Sequence, residues 1–563
     1  MVAVTQRAQQ LRIYLRRFGS RKTVPADLRA GVVLGAESVP DGLAAGVLAG
    51  VNPLAGLNAY LVGTVVGALT TGSVYMTVQA TGAMAVIIAD VPAVHGEGSE
   101  RVLATLGLMT GAVMLFLGLA RLGSLVRYIP TAVLIGFANA VAINIVLGQL
   151  SNLTGYASDS ANRVTRAVDT ALHFWLFSWP SVLVGATTIT LILVLERFGL
   201  GPLSLVCAVI AGSALVQALP NDSVTLLRDS VAVGRSLPIP VVPSLASMPE
   251  LVVAALSLAL VGLVQGAGIS GSIPNPDGRY PDASADFRGQ GIANVASGLF
   301  QGVPVGGSMS GTALARAAGA RSALTNLVAG VVMVVVILAC GPLIGYVAMP
   351  AIAGLLILVG IRTVKPDQIA LALRTGPIQI AVFVVTFVLS LIIPLQYAVL
   401  AGVGMSVILH VARQANRIRI VQWTFDDSST RPVEEPPPAT VDAGETLILT
   451  AYGALFFASA QSFREQLPAP ADDATDATVV LRLRGTEELG VTFLSMLGNY
   501  RDELARAGAT LMLSGVDENL ASQLEVTGVL ARLGRENVFP ARTRFGDSVW
   551  DALAAIDKRR KRP

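Results

Sequence analysis

VPVGGSMSGTALARAAGARS, residues 303–322, crowds Gly306, Gly307, Ser308, Ser310, Gly311 and Thr312 into one short run of an otherwise apolar chain. A continuous membrane helix has no use for so many glycines and hydroxyls together, and Arg316 and Arg321 close the stretch. A second segment, TVQATGAMAVIIAD (77–90), has the same grammar: small and hydroxyl residues first, helix formers afterwards. Alone, each reads as small-residue helix packing. As a pair in corresponding places of two runs of segments, they point to an inverted-repeat transporter with its site near the membrane midplane. The physical reason is that a half-helix starting at mid-membrane leaves its first N–H groups unpaired. Those groups and the macrodipole favour an anion.

Composition places the stretch in a membrane. The chain has 563 residues, of which 53% are hydrophobic and 14% charged, against roughly 25% charged in a soluble domain. Its mean hydropathy is +0.65. About fourteen apolar segments follow one another: 30–50, 54–71, 76–91, 103–120, 128–149, 176–195, 199–218, 250–270, 288–302, 305–318, 323–345, 347–362, 376–394 and 395–412. Basic residues fall after alternate segments. They are Arg7, Arg12, Arg16, Arg17, Arg21, Lys22 and Arg29 at the start, then Arg121 and Arg127, Arg197, Arg279 and Arg288, Arg316 and Arg321, Arg362, Lys365 and Arg374, and finally Arg413, Arg417 and Arg419. If every segment crosses, the positive-inside rule puts these residues and both termini in the cytoplasm, with the protein in the plasma (inner) membrane. Twelve or thirteen crossings with re-entrant loops is the alternative.

Several function classes drop out. A net charge of +3 is too small to imply nucleic-acid binding. Cys207 and Cys340 lie inside apolar runs and read as packing residues. His95, His173 and His410 read as interfacial, and no metal cluster, phosphate loop or catalytic set is evident, so neither an enzyme nor a cofactor is expected. The N-terminus has no short apolar region followed by a cleavage site, so no signal peptide is expected.

The chain divides into a cytoplasmic N-terminal segment (1–29), a transport domain (30–412), a linker (413–442) and a cytoplasmic α/β domain with a basic tail (443–563). DDSSTRPVEEPPPATVDAG (426–444) is acidic and proline-rich. Beyond it ETLILTAYGALFF reads as strand, turn, strand, TVVLRLRG as a buried strand and FLSMLGNYRDELARAG as an amphipathic helix. ATLMLSG then reads as a strand and NLASQLEVTGVLARLG as a further helix.

These residues resemble the sulfate permease (SulP) family of anion transporters, which carry a C-terminal STAS domain. PADLRAGVVLGAESVPDGLAAGVLAGVNPLAGL is similar to the family's opening segment, with Pro40, Ala44 and Gly50–Leu57 matching its motif. ATGAMAV matches the third-segment half-helix, and GQGIANVASGLFQGVPVGGSMSGTALARAAGARS the ninth and tenth segments. YGALFFASAQSFREQL and LMLSGVDENLASQLEVTGVL resemble STAS. The resemblance implies seven-plus-seven inverted repeats in core and gate bundles, and a homodimer. It also implies an anion held between half-helices three and ten. Thr81, Gly82 and Ala83 would line one side, and Ser308, Ser310, Gly311 and Thr312 the other.

The sequence also departs from the family pattern. Asp41 follows Pro40 where members often have Gln, and Glu37 stands one turn earlier; acids inside a membrane segment are functional candidates by default. Gln265 occupies the place of an eighth-segment Glu suspected in cation coupling, and Gly311 that of a frequent Arg. Asp41 is therefore the expected coupling group, for a proton or sodium, with Gln265 beside the site. Val491 replaces the serine that stand-alone STAS relatives phosphorylate, and Thr492 is left as a helix cap. The leading expectation is a secondary transporter of small inorganic anions, of the sulfate or bicarbonate class. A nucleobase-type transporter on the same architecture and a membrane-anchored STAS scaffold or sensor are the alternatives.

Overall fold

The computed structural model describes residues 17–561 except 97, 124–129, 161, 202, 220–223, 231–235, 416–417, 426–430 and 487. Arg7, Arg12, Arg16, Arg127 and Arg417, and part of the expected linker, lie outside the described residues. The chain forms two compact units, Met1–Ser406 and Val407–Pro563.

The first unit is helical. In chain order its main helices are α1 (Val24–Leu48), α2 (Pro53–Thr70), α3 (Gly82–Ala89), α4 (Ser99–Leu119), α5 (Thr131–Gly148), α6 (Trp179–Arg197) and α7 (Leu203–Leu215). A second series follows: α8 (Met248–Ser272), α9 (Ala283–Leu299), α10 (Met309–Ala317), α11 (Leu324–Ile344), α12 (Met349–Thr363), α13 (Pro377–Ile392) and α14 (Leu395–Ala415). These are the fourteen expected segments. Two amphipathic helices, Arg163–Leu172 and Pro366–Arg374, were not expected. Among the described residues eight helices are long and apolar enough to cross a bilayer.

The third and tenth elements are the short ones. α3 has 8 residues and α10 has 9, which at 1.5 Å per residue reach only about 12–14 Å. Each is preceded by a three-residue strand, β1 (Thr77–Gln79) before α3 and β2 (Gly306–Ser308) before α10. Strand plus half-helix supplies about 22 Å, so these two elements span as broken segments.

Packing sorts the helices into two bundles. α1–α4 pack with α8–α11, and α5–α7 with α12 and α13. The most extensive seam runs between α4 and α9. A Cβ on Gly107 would meet the Gly298 Cα at 2.8 Å, and one on Gly111 the Gly291 carbonyl at 2.6 Å. Only glycine permits that approach, as small-residue membrane packing requires.

Two buried carboxylates fasten the first bundle. Asp27, fully buried in the first turn of α1, accepts from Arg321 N (2.7 Å), Ser322 N (2.9 Å), Ser322 Oγ (2.7 Å) and Thr325 Oγ1 (3.0 Å), thereby capping the N-terminus of α11. Asp286 in α9 accepts from Ser73 N and Oγ and from Ser270 Oγ (2.7, 2.6 and 2.5 Å). It ties the loop after α2 to α8. The cysteines are free, but Cys207 is exposed on α7 and does not pack as expected, while Cys340 is half-buried. His95 bonds the Gly50 and Ala89 carbonyls, and His173 stacks on Tyr156. The side chain of His410 lies outside the described residues.

The second unit is a mixed six-stranded sheet flanked by helices. Its strands are β3 (Arg419–Phe425), β4 (Pro432–Glu435), β5 (Thr446–Tyr452), β6 (Thr478–Arg482), β7 (Thr510–Val516) and β8 (Val538–Pro540), in spatial order β8-β7-β6-β5-β3-β4. β5 to β8 are parallel neighbours, and β3 runs antiparallel to β5 and β4. α15 (Val491–Arg506) and α16 (Glu518–Val526) contribute leucines to one apolar cluster, and α17 (Asp547–Arg560) to another. The sheet thus starts at Arg419, inside the stretch expected as linker. RIVQWTF carries a strand pattern whose Val421 and Trp423 are buried with α17. Further corrections concern the expected elements. The second strand of ETLILTAYGALFF is absent, because the chain turns after Tyr452 into a short helix at Phe457–Ser459. The helix expected over NLASQLEVTGVLARLG breaks at Gly528, which takes φ +74°. Thr492 does not cap α15, since Gly490 occupies that position and Val491 is exposed at its first turn.

Asp27→Ala is expected to leave four donors without their acceptor, a loss of a few kcal/mol, and to lower the melting temperature of the detergent-extracted protein by several degrees. Asp27→Asn should fall between. A melting curve matching the parent would show that this cap is dispensable.

Candidate anion site

β1 and β2 pair antiparallel, with Thr77 opposite Ser308, Val78 opposite Gly307 and Gln79 opposite Gly306. The pairing brings the N-termini of α3 and α10 together. Thr81 caps α3, its hydroxyl accepting from Met84 N at 3.4 Å. Ser308 caps α10, accepting from Gly311 N at 3.1 Å, and its Oγ lies 3.2 Å from Ser310 Oγ. The N–H groups of Gly82 and Ala83, and of Met309 and Ser310, precede the first intrahelical hydrogen bonds and are available to a ligand.

Polar side chains hold this hairpin from behind. On α9, Gln290 Oε1 accepts from Gly307 N (2.9 Å), Asn294 exchanges bonds with Val305 N and O (2.9 and 2.6 Å), and Ser297 Oγ donates to Val303 O (2.7 Å). These three lie one turn apart along a single helix face. On α11, Asn326 Oδ1 accepts from Thr77 Oγ1 (3.0 Å), and its Nδ2 donates to Met76 O (3.0 Å). α8 approaches through glycines: a Cβ on Gly262 would meet Gly306 Cα at 3.6 Å, and one on Gly307 would meet Gly266 Cα at 2.8 Å. On the other side Gln79 Nε2 donates to Ser38 Oγ of α1 (3.0 Å).

The expected site residues divide into two groups. Thr81 and Gly82 are half-buried, Ser310 is exposed and Ser308 lies directly beside it. Thr81, Gly82 and Ser310 reach the open side, while Ser308 is itself buried, in contact with Ser310. Ala83, Gly311 and Thr312 are buried behind them. Thr312 Oγ1 is committed, donating to Ser308 O (2.6 Å) and accepting from Thr77 N (3.1 Å). Position 311 does not face the opening, since a Cβ there would meet Gln79 Oε1 at 2.5 Å. An arginine at 311 would have to displace the end of the Gln79 side chain.

Asp41 is partly buried on α1, one turn beyond Glu37, and Tyr60 Oη of α2 lies 3.5 Å from its Oδ2. It falls between two contacts of α1 with the half-helix layer, Ser38 with Gln79 and Leu48 with Gly82. Gln265 is half-buried on α8, and its buried Oε1 has no hydrogen-bond partner. Among the buried described residues of this unit there is no lysine or arginine. Helix ends and hydroxyls are therefore the groups here that could attract an anion.

The sequence family model described as the sulfate permease family matches residues 25–386, and that of the STAS domain residues 437–543. The chain belongs to the sulfate permease family. It is an anion transporter, not an enzyme, with a C-terminal STAS domain. A probable sulfate transporter of Mycobacterium tuberculosis is 27% identical over 533 residues, covering 92% of this chain and 94% of the relative. A bicarbonate transporter, BicA, of Synechocystis is 23% identical, covering 89% and 90%. Among solved structures, SLC26A9 superposes with a TM-score of 0.84 at 17% identity over 97% of this chain and 92% of that one. The transmembrane domain of a cyanobacterial BicA gives 0.58 at 24% identity, over 68% and 98%.

Gly311→Ala places a methyl group against Gln79 Oε1 and is expected to reduce anion uptake into proteoliposomes severalfold. Unaltered uptake would show that the hairpin tolerates displacement at this point.

Proposed function

We propose that this sulfate permease member carries a small inorganic anion, of the sulfate or bicarbonate class, between the N-termini of α3 and α10. Movement of the ion would be coupled to a proton through Asp41. The observation that carries this reading is the β1–β2 pairing, which joins the segments leading into two helix N-termini, with no lysine or arginine among the buried described residues of this unit. Each helix end is equivalent to roughly half a positive charge, so the pair balances about one negative charge. A monovalent anion such as bicarbonate fits that balance alone. Sulfate exceeds it by one, and a proton taken up by a nearby carboxylate restores it. Asp41 with Glu37 is the carboxylate pair on the helix that touches the half-helix layer. A carboxylate in low dielectric near an anion binds its proton more readily, so anion and proton assist each other. Sodium at the same pair is the second coupling ion to be examined. Gln265 supplies an uncommitted amide at the edge of the site.

The family and the sulfate and bicarbonate transporters among the relatives weigh against a nucleobase substrate and against a scaffold with little transport. We further propose a homodimer in the plasma membrane with both termini cytoplasmic, the arginine alternation being the support for the orientation. Because β3 belongs to the sheet, truncation to test the role of STAS in dimer stability should fall before Arg419.

Uptake of labelled sulfate and bicarbonate into proteoliposomes, with imposed pH or sodium gradients, tests the reading. Ser310→Leu should abolish uptake while the protein stays monodisperse. Asp41→Asn should bind anion but lose stimulation by an inward proton gradient. A parent that ignores both gradients, or an Asp41→Asn variant that responds like the parent, contradicts the coupling role.

A further inference from the structure

The STAS sheet carries a row of buried polar side chains with nothing to bond. Thr450 on β5, Arg482 on β6 and Ser514 on β7 are register partners across three parallel strands, so their side chains share one face. Val421 of β3 pairs with Thr450, which puts Trp423, two residues on, over the same face. Thr450 is 2% exposed, Arg482 7%, Ser514 0% and Trp423 5%. Thr450 Oγ1, Arg482 Nε, Ser514 Oγ and Trp423 Nε1 are all buried without a hydrogen-bond partner.

The row is not explained by the core. One pleat back along the same strands the residues are Ile448, Val480 and Met512, which pack on Val549, Ala552 and Ile556 of α17. An apolar row would have continued that contact. Instead the guanidinium of Arg482 lies against a pair of touching aromatic rings, 4.8 Å from the Trp423 centroid and 4.5 Å from that of Phe545, the two centroids being 5.7 Å apart. No carboxylate bridges it among the described ion pairs. Burial and the neighbouring Arg484 depress its pKa, yet arginine stays charged. Ring faces return only part of the cost of burying a cation without a counter-charge.

Every group in the row can donate, and Arg482 and Trp423 can do nothing else. Their ligand must therefore be an acceptor, and the guanidinium requires it to be negative. Strand spacing sets the hydroxyls of Thr450 and Ser514 on backbones about 4.8 Å to either side of Arg482, a span suited to a tetrahedral oxyanion. The row also lies toward the carboxyl ends of parallel strands, where ligands of open α/β sheets bind. Phe545, 69% exposed, covers the guanidinium, and its loop is held by the bond from Arg484 to the Arg544 carbonyl (3.2 Å).

We propose that the Thr450–Arg482–Ser514 row of the STAS domain, with Trp423, is a binding site for a sulfate or phosphate group, free or as a phosphate ester. It is separate from the transport site and does not depend on the assignment of the transported anion.

Hydrogen-exchange mass spectrometry on the full-length protein in detergent tests this, with sulfate, inorganic phosphate or adenosine monophosphate added against chloride at equal ionic strength. Slowed exchange confined to peptides covering 478–484, 510–516 and 541–550 is expected, about tenfold at a ligand concentration ten times the dissociation constant. A response to the inorganic ions identifies the free oxyanion as ligand. A response to the nucleotide alone identifies an ester, and either supports the site. Arg482→Met, which keeps the stacked stem without the charge, should abolish the protection. Ser514→Ala, the milder variant if Arg482→Met does not fold, should weaken it about three- to tenfold. Absence of protection with all three probes, or equal protection in the variant, overturns the proposal.

Discussion

A chain that begins a helix in the middle of a membrane must satisfy its backbone before that helix starts. The β1–β2 pairing does this, and the rest of the transport unit is arranged around it. Three residues from each broken segment bond to one another. The extended backbone at 303–307 then bonds to Gln290, Asn294 and Ser297, and that at 76–77 to Asn326 and Thr312. Unpaired polar backbone at this depth would cost several kcal/mol per group. With these bonds made, the leading N–H groups of α3 and α10 would be left for a ligand.

The glycines follow from the same constraint. Gly262 and Gly266 let α8 lie against the hairpin, and the α4–α9 seam brings the polar face of α9 close behind it. Asp27 and Asp286 fasten helices of this bundle to one another. The paired strands are thus held from several sides while the hydroxyl of Ser310 stays on the open side, adjacent to that of the buried Ser308.

Much of this was legible in the sequence. Fourteen segments were countable because each is an apolar run, and the two broken ones stood out because glycine and hydroxyls precede helix formers. What escaped was direction. Gly311 lies in the right motif, but only the turn of α10 shows that its Cβ vector meets Gln79. Gln79, Gln290, Asn294 and Asn326 were missed as well. The spacing of Gln290, Asn294 and Ser297 along one face of GQGIANVASGL was the available signal. β3 was hidden because the acidic, proline-rich stretch after it dominates the local composition. The Thr450, Arg482 and Ser514 row could not be read at all, because register between distant strands is not written in any one of them.

The central claim is that an anion sits between the two half-helix N-termini. Solid-state NMR on the protein in bilayers, with carbon-13 bicarbonate and nitrogen-15 backbone label, measures this directly through carbon–nitrogen dipolar recoupling. The account predicts short distances from the ion to the amides of both Gly82–Ala83 and Met309–Ser310. Bound bicarbonate with recoupling to neither pair, or to one helix alone, would contradict it.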